Sequence, residues 1–279
     1  MKKTVDIPES YDELTTKEFK YLLRKFWKIM YDENVDAMDI QRDLVDYILG
    51  RRRFINPFKR EDYYILVNQI AWRMDWLFQT IDNQIQLNYN STVNLLPKIG
   101  KYVGPQSHGI DLRFGEFRTA ADIMTQYREE EDIDVLDALV GVLYRLKNKQ
   151  VKKADFNGNL REPFNKHNIE MYADRVKHLN EIYKYGVYVW FASFCSFLIS
   201  GTFNIEGRDI CFAPVFGTNE TKNTDEKQTE DKLGMLSILF TLADTGTFGN
   251  VEQTDNAPLL DVMCKLLNDY NLAKNMQRK

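Results

Sequence analysis

Residues 112–146 read LRFGEFRTAADIMTQYREEEDIDVLDALVGVLYRL, and the apolar spacing in this stretch decides the fold class. Phe117, Ala120, Met124 and Tyr127 follow one another at steps of three, four and three, which lines one face of an α-helix. Ile133, Leu136, Val140 and Leu143 repeat those steps. Between the two sets the acidic run at residues 129–132 stands where the second helix is expected to begin, so its carboxylates meet the positive end of a helix dipole. Arg145 and Lys147 supply cations at the opposite end. The stretch therefore predicts a hairpin of two short helices with Phe117, Tyr127, Leu136, Leu143 and Tyr144 in the core. The dipole accounts for the acidic run, and no reaction follows from it.

Upstream, Thr15 and Glu18 have capping-box spacing, and Phe19, Leu22, Leu23, Phe26, Trp27 and Met30 continue as the apolar face of a helix over 15–31. The opposite face carries Lys17, Lys20, Arg24, Lys25 and Lys28, a solvated surface. A second helix is expected over 37–49, with Met38, Leu44, Val45 and Ile48 inward and Gly50 just past its end. A third is expected over 61–87, where Ile65, Gln69, Trp72, Trp76 and Phe78 cannot share one narrow stripe and so imply burial around much of the circumference. Residues 88–111 hold Pro97, Gly100, Gly104, Pro105 and Gly109, the punctuation of an ordered connection pinned by Leu95, Leu96, Ile99, Tyr102 and Val103. His108 stands alone there, without a nucleophile or carboxylate pattern.

Downstream, the polar segment over 148–171, with Asn157-Gly158-Asn159, is a natural internal boundary. A long helix is expected over 169–200. Its second half belongs to a run with no charge between Lys184 and Glu206, long enough to raise a membrane span. The run is interrupted by Gly186, Ser193, Ser196, Ser200 and Gly201 and is rich in Tyr and Phe, which favours a buried central helix. Residues 213–230 are polar and read as a mobile loop, and two further helices are expected over 231–243 and 257–274, the last capped by Asp255 or Asn256 with Pro258 in its first turn. The expected architecture is all-α: an irregular bundle of seven to nine helices with long ordered loops. It divides into an N-terminal helical region, 1–111, and a C-terminal one, 112–279, with one continuous domain as the alternative.

With 279 residues, 44% apolar and 28% charged, the chain has a globular composition, and its net charge of −4 argues against bulk electrostatic binding of nucleic acid. The local exception is Arg51, Arg52, Arg53, Lys59 and Arg60, whose neighbours Phe54 and Phe58 give the cluster the look of a strand-binding surface. Cys195, Cys211 and Cys264 are isolated among apolar neighbours, without ligand spacing, and read as buried free thiols in a reducing compartment. The first residues, MKKTVDIPESYDEL, have no apolar core and are not a signal peptide, so the sequons at Asn90 and Asn219 carry no meaning. Phosphate-cradling, dinucleotide-binding, nucleophile-elbow, zinc-protease and calcium-loop patterns are all missing. No catalytic, cofactor-binding or metal-ligating residue is nominated, and no cofactor is expected.

The phrase FGEF, the Tyr127-centred acidic stretch and LDALVGVLYRL together resemble a segment of the tail assembly chaperone-like morphogenesis proteins of tailed phages and prophages of Bacteroidetes. LADTGTFGNVEQTDNAPLLDVMCKLL is similar to that group's closing phrase, a turn leading into a last amphipathic helix. The two matches span 112–146 and 234–268, and the N-terminal third has no counterpart. Where the group has a small residue before the hairpin's last apolar pair, this chain has Gly141, which costs about 1 kcal/mol of helix propensity relative to alanine and implies close helix packing there. The resemblance implies a non-enzymatic protein of tail assembly that binds the tape-measure protein or tube subunits, or a structural component of the neck, ring or tail. It places the chain in the bacterial host's cytoplasm or in the virion, with homo-oligomers allowed and no membrane or nucleic-acid partner. A nucleic-acid-binding helical module using the basic cluster over 51–60 is the alternative that the residues leave open.

Overall fold

The computed structural model describes residues 5–29, 36–50, 56–81, 84–149, 158–216 and 235–277. Contacts divide the chain into one unit comprising Met1–Leu96 and Leu179–Ser193 and a second comprising Pro97–His178 and Phe194–Lys279.

In the first unit, α1 (Thr16–Ile29) begins with the expected capping box: Thr15 N–H donates to Glu18 Oε2 at 2.8 Å and Glu18 N–H to Thr15 Oγ1 at 3.3 Å. These bonds satisfy amides that a helix start otherwise leaves open. Helix α2 (Ala37–Ile48) is capped by Asp36 and stops at Gly50, whose φ of 87° suits a glycine. The expected 61–87 helix is corrected into four elements. Helix α3 (Pro57–Ala71), with Asn56 as its cap, gives way to a 3-10 turn at Trp72–Leu77 and then to the hairpin of β1 (Phe78–Ile81) and β2 (Gln84–Leu87). The alternation Gln84-Ile85-Gln86-Leu87 fits a strand, and this period-2 pattern overrides the helical one. Ile65 and Trp72 are exposed, so α3 is not buried around its circumference.

Tyr11, Leu22, Phe26, Leu44, Val67, Met74 and Leu77 form this unit's core. Burying each large apolar side chain contributes about 1.5–3 kcal/mol. Several polar groups inside are paired, although the Trp76 indole N–H has no hydrogen-bond partner among the described residues. Tyr11 Oη donates to the Leu77 carbonyl at 2.6 Å, and burial raises that phenol well above its ordinary pKa. Gln41 Nε2 donates to the Met74 carbonyl at 2.9 Å, and Tyr63 Oη to Asp46 Oδ1 at 2.7 Å, fastening α2 to the 3-10 turn and to α3.

The second unit contains the expected hairpin, α4 (Phe114–Glu130) and α5 (Ile133–Leu143), preceded by the strands β3 (Lys98–Ile99) and β4 (Tyr102–Val103). Phe117, Ala120, Met124, Leu136, Val140 and Leu143 are buried, whereas Tyr127, expected in the core, is half-buried and Ile133 is 41% exposed, because both lie near the turn that joins α4 to α5. The acidic run is divided rather than gathered at the start of α5. Glu129 and Glu130 end α4, Glu131 is its left-handed cap at φ 52°, and only Asp132 caps α5, accepting from Asp134 N–H at 2.8 Å. Immediately after α5, β5 (Arg145–Leu146) pairs with β4, completing the sheet β3-β4-β5.

The expected 169–200 helix is two: α6 (Ile169–Val176) and α7 (Glu181–Ser200), with Asn180 Oδ1 accepting from Ile182 N–H at 2.9 Å where α7 starts. Asparagine bonding its own following backbone favours such a restart over a continuous helix. Helix α7 supplies residues to both units and is long and apolar enough to cross a membrane; within the protein Val187, Trp190, Phe191, Phe194 and Leu198 on it are buried. A tight hairpin follows, β6 (Thr202–Ile205) and β7 (Arg208–Cys211), turned by Glu206 and Gly207 at φ 51° and 77°. Positive φ at both turn residues matches the right-handed twist of the strands. Residues 213–216 of the expected mobile loop form a 3-10 turn; 217–230 lie outside the described residues.

Helix α8 (Met235–Asp244), short helix α9 (Val251–Asp255) and α10 (Leu259–Gln277) complete the unit. Asp255 does not cap α10; it pairs with Arg118. The described residues thus hold ten α-helices and three small sheets, so the all-α expectation of seven to nine helices is corrected to a mostly helical fold with short strands. Gly141 is where α6 crosses α5: a Cβ there would stand 2.5 Å from the Tyr172 carbonyl carbon and 2.7 Å from Ala173 N. The missing side chain is what lets the two helices approach.

Candidate functional site

Of the basic cluster, Lys59 and Arg60 lie in the exposed first turn of α3, and Arg51, Arg52 and Arg53 fall outside the described residues. The Arg60 guanidinium sits 5.5 Å from the Tyr64 ring centre. Glu61 and Asp62 follow directly and are exposed, so the described part of the cluster is charge-balanced. A phosphate backbone would meet carboxylates as readily as cations there.

The densest arrangement of charge is buried in the second unit. Glu116, in the first turn of α4, is held by Arg145 and Arg161, and the side chains of all three are 0% exposed. Arg145 Nη1 donates to Glu116 Oε1 at 3.1 Å; Arg161 Nη1 donates to the same oxygen, and its Nη2 lies 3.3 Å from Oε2. Arg161 Nη2 also stands 3.4 Å from Asp111 Oδ2, so two guanidinium groups face two carboxylates and the cluster is formally neutral.

The arginines also serve as backbone fasteners. Arg145 Nε donates to the Glu162 carbonyl at 2.7 Å and Nη1 to that of Val142, while Arg161 donates to the carbonyls of Leu143 at 3.0 Å and Asp111 at 3.1 Å. Each therefore reaches the backbone beside the other: β5 and residues 159–162 are cross-tied, with Asn148 N–H on the Leu160 carbonyl and Glu162 N–H on the Leu146 carbonyl closing the frame. Burial lowers the Arg145 guanidinium from its ordinary pKa; Glu116 opposes that shift and Arg161 adds to it. Arg118 and Asp255 form a second, partly buried pair at 3.1 Å, linking α4 to α9.

The residues carrying this cluster are absent from the sequence-based candidates. Arg145 is expected there only as a cation closing a helix, yet it lies past the end of α5 with its side chain inward. The available signal was a lone charge in apolar company: Glu116 between Phe114 and Phe117, and Arg145 among Leu143, Tyr144 and Leu146. Chemically the cluster suits architecture. Glu116 has its oxygens engaged by guanidinium groups, and none of the three side chains reaches solvent.

One open depression of about 300 Å³ lies between α5 and α6, with Asp134, Asp137, Glu170, Asp174 and Lys177 at its wall. Lys177 Nζ donates to Asp134 Oδ1 at 3.0 Å, and this hydrogen bond raises the ammonium pKa from its ordinary value. Among the described residues no group of three His, Cys, Asp or Glu side chains is arranged to hold a metal ion. Of the three cysteines expected to be buried, only Cys195 is, its thiol pushed up to about 12 by desolvation; Cys264 is half-buried and Cys211, on the short β6–β7 hairpin, is exposed. Comparison with protein-family models, with curated proteins and with solved structures gives no match.

Proposed function

We propose that this chain is a non-enzymatic protein of tail assembly in a tailed phage or prophage, binding other tail proteins through exposed apolar helix faces. The observation that carries the binding part is surface apolar content on regular elements. Phe58, Ile65 and Trp72 on or beside α3, Leu236 and Phe240 on α8, and Leu272 and Met276 on α10 are all large, apolar and exposed. Helix faces of that kind receive partner helices. The buried carboxylates and guanidinium groups around Glu116 are meanwhile engaged with one another, which favours a scaffold over a reaction centre. The tail assignment rests on the resemblance at 112–146 and 234–268.

Affinity capture from infected or prophage-induced cells tests it, with quantitative mass spectrometry of the captured proteins and of purified particles. Tube or tape-measure subunits captured with this chain, and its absence from particles, support the chaperone form. Its stoichiometric presence in particles selects a neck, ring or tail component instead. Capture of no tail protein, together with absence from particles, overturns the proposal.

A further inference from the structure

Helix α3 carries two apolar faces. Its inner one, Tyr63, Val67 and Ala71, is buried. Phe58, Ile65 and Trp72 lie on the opposite side at 78%, 51% and 71% exposure. They stand seven residues apart, and because a heptad drifts only about 20° around an α-helix, the three stay in line along the outward face. Glu61 and Asp62 fall three and four residues after Phe58, on that same face, and both are exposed. Asn68 and Gln69 occupy the equivalent places after Ile65. Lys59 and Arg60 are about 100° and 160° round from Phe58, off the face, and Arg60 is directed to the Tyr64 ring.

We propose that this face is the docking surface for an amphipathic helix of a partner protein, one whose apolar residues repeat at heptad spacing and are flanked by lysine or arginine. The spacing fixes the apolar part, since a helix laid along α3 meets Phe58, Ile65 and Trp72 once per heptad. The flanking charge follows from Glu61 and Asp62, the charged residues of α3 that share the face with Phe58 and Ile65. A second copy of α3 is a poor occupant: laid antiparallel about Ile65, it sets Glu61 and Asp62 against Gln69 and Asn68 and provides no cation for them. The inference rests on the reading of this chain as a binding protein and names the surface and the partner's chemistry.

The test uses the full chain and two labelled synthetic helical peptides of about four heptads, identical in their leucine and isoleucine positions. One has lysine and the other glutamate at the flanking positions. Fluorescence anisotropy is expected to show saturable binding of the lysine peptide and about tenfold or more weaker binding of the glutamate peptide. Ile65→Lys should weaken the lysine peptide by about tenfold or more, as removal of a central anchor does. Glu61→Lys with Asp62→Lys should reverse the preference between the two peptides. All three positions are exposed, so the urea midpoint of each variant serves as the control for folding.

No saturable binding, or variants that leave both affinities within about twofold, overturns the docking surface. A dimer of the chain in analytical ultracentrifugation that Ile65→Lys dissociates overturns it in favour of a second copy. Tail proteins still captured by the Ile65→Lys variant would refute this surface while leaving the tail-assembly reading standing. Peptide binding that behaves as described, with no tail protein captured from cells, would do the reverse.

Discussion

Replacing Glu116 by glutamine is expected to be among the most destabilising single changes in the second unit, although it alters one atom and keeps the side chain's shape. Glu116 faces Arg145 at 3.1 Å and Arg161 across both carboxylate oxygens, with no exposure on any of the three. Glutamine leaves two buried guanidinium groups with Asp111 as their one remaining counter-charge in the cluster. A unit charge pair at this range is worth about 4 kcal/mol at the effective dielectric of a protein. Removing one partner of a buried pair costs about 3–5 kcal/mol, since the desolvation already incurred by the other is no longer offset.

Against a total stability of roughly 5–15 kcal/mol, that is a large share. Urea unfolding followed by far-ultraviolet circular dichroism should show the midpoint shift at unchanged slope, and thermal melts should fall by on the order of 10 °C. A companion variant, Glu116→Leu with Arg145→Met, Arg161→Met and Asp111→Asn, removes all four charges of the cluster while keeping most of the volume, and should recover most of the loss. A Glu116→Gln loss below about 1 kcal/mol would refute the reasoning, because it would mean that solvent or another group compensates the guanidinium charges.

Gly141→Ala should destabilise by about 1–3 kcal/mol despite alanine's better helix propensity, because the added carbon meets the backbone of Tyr172 and Ala173 and α6 must move; urea midpoints decide it, and a stabilised variant would contradict the packing. Thiol labelling followed by mass spectrometry should modify exposed Cys211 first and Cys195 only on unfolding. The Cys195 thiol stays protonated in the folded chain up to about 12, whereas in the unfolded chain it ionises near its ordinary value, so its contribution to stability is full at neutral pH and is lost as pH rises from about 9 towards 12. A Cys195→Ala variant should show a shallower stability decline across that alkaline window. Gel-shift assays at low salt should show no DNA or RNA complex; a complex lost on neutralising Arg51, Arg52 and Arg53 together would favour the nucleic-acid reading instead.

The elements legible in the sequence are those whose signals are local. The Thr15 and Glu18 capping box, the Gly50 stop and the α4–α5 hairpin follow from spacing within a few residues, and the structure has all of them. The 61–87 stretch fails because an aromatic-rich segment satisfies helical and strand templates alike, and the short alternation at Gln84–Leu87 decides only once β1 and β2 find each other. The break between α6 and α7 turns on one asparagine that competes with the helix for its own backbone. Gly141 was legible as a close-packing site, but not which helix it admits, because its neighbour α6 is about thirty residues away in the chain.

The charged cluster illustrates a different limit. Glu116 and Arg145 are visible in the sequence as charges beside apolar neighbours, which is the mark of a residue at odds with its local environment, whereas Arg161, next to Glu162, carries no such mark. What a sequence does not supply is the pairing, because 29 residues separate Glu116 from Arg145 and 45 separate it from Arg161. An apolar trio could fill the same space with equal or greater stability once Asp111 is neutralised as well. It could not also donate to the carbonyls of Asp111, Leu143 and Glu162. Those bonds fix where residues 159–162 cross behind α4, so the cluster's physical role is to select one path for the chain among several that hydrophobic packing alone would accept. On that argument the variant without the cluster's charges should be stable yet show faster amide exchange at Asn148 and Glu162, whose N–H groups donate to the carbonyls of Leu160 and Leu146 within the frame that the two arginines hold. Unchanged exchange at those two amides would show that packing alone selects the path.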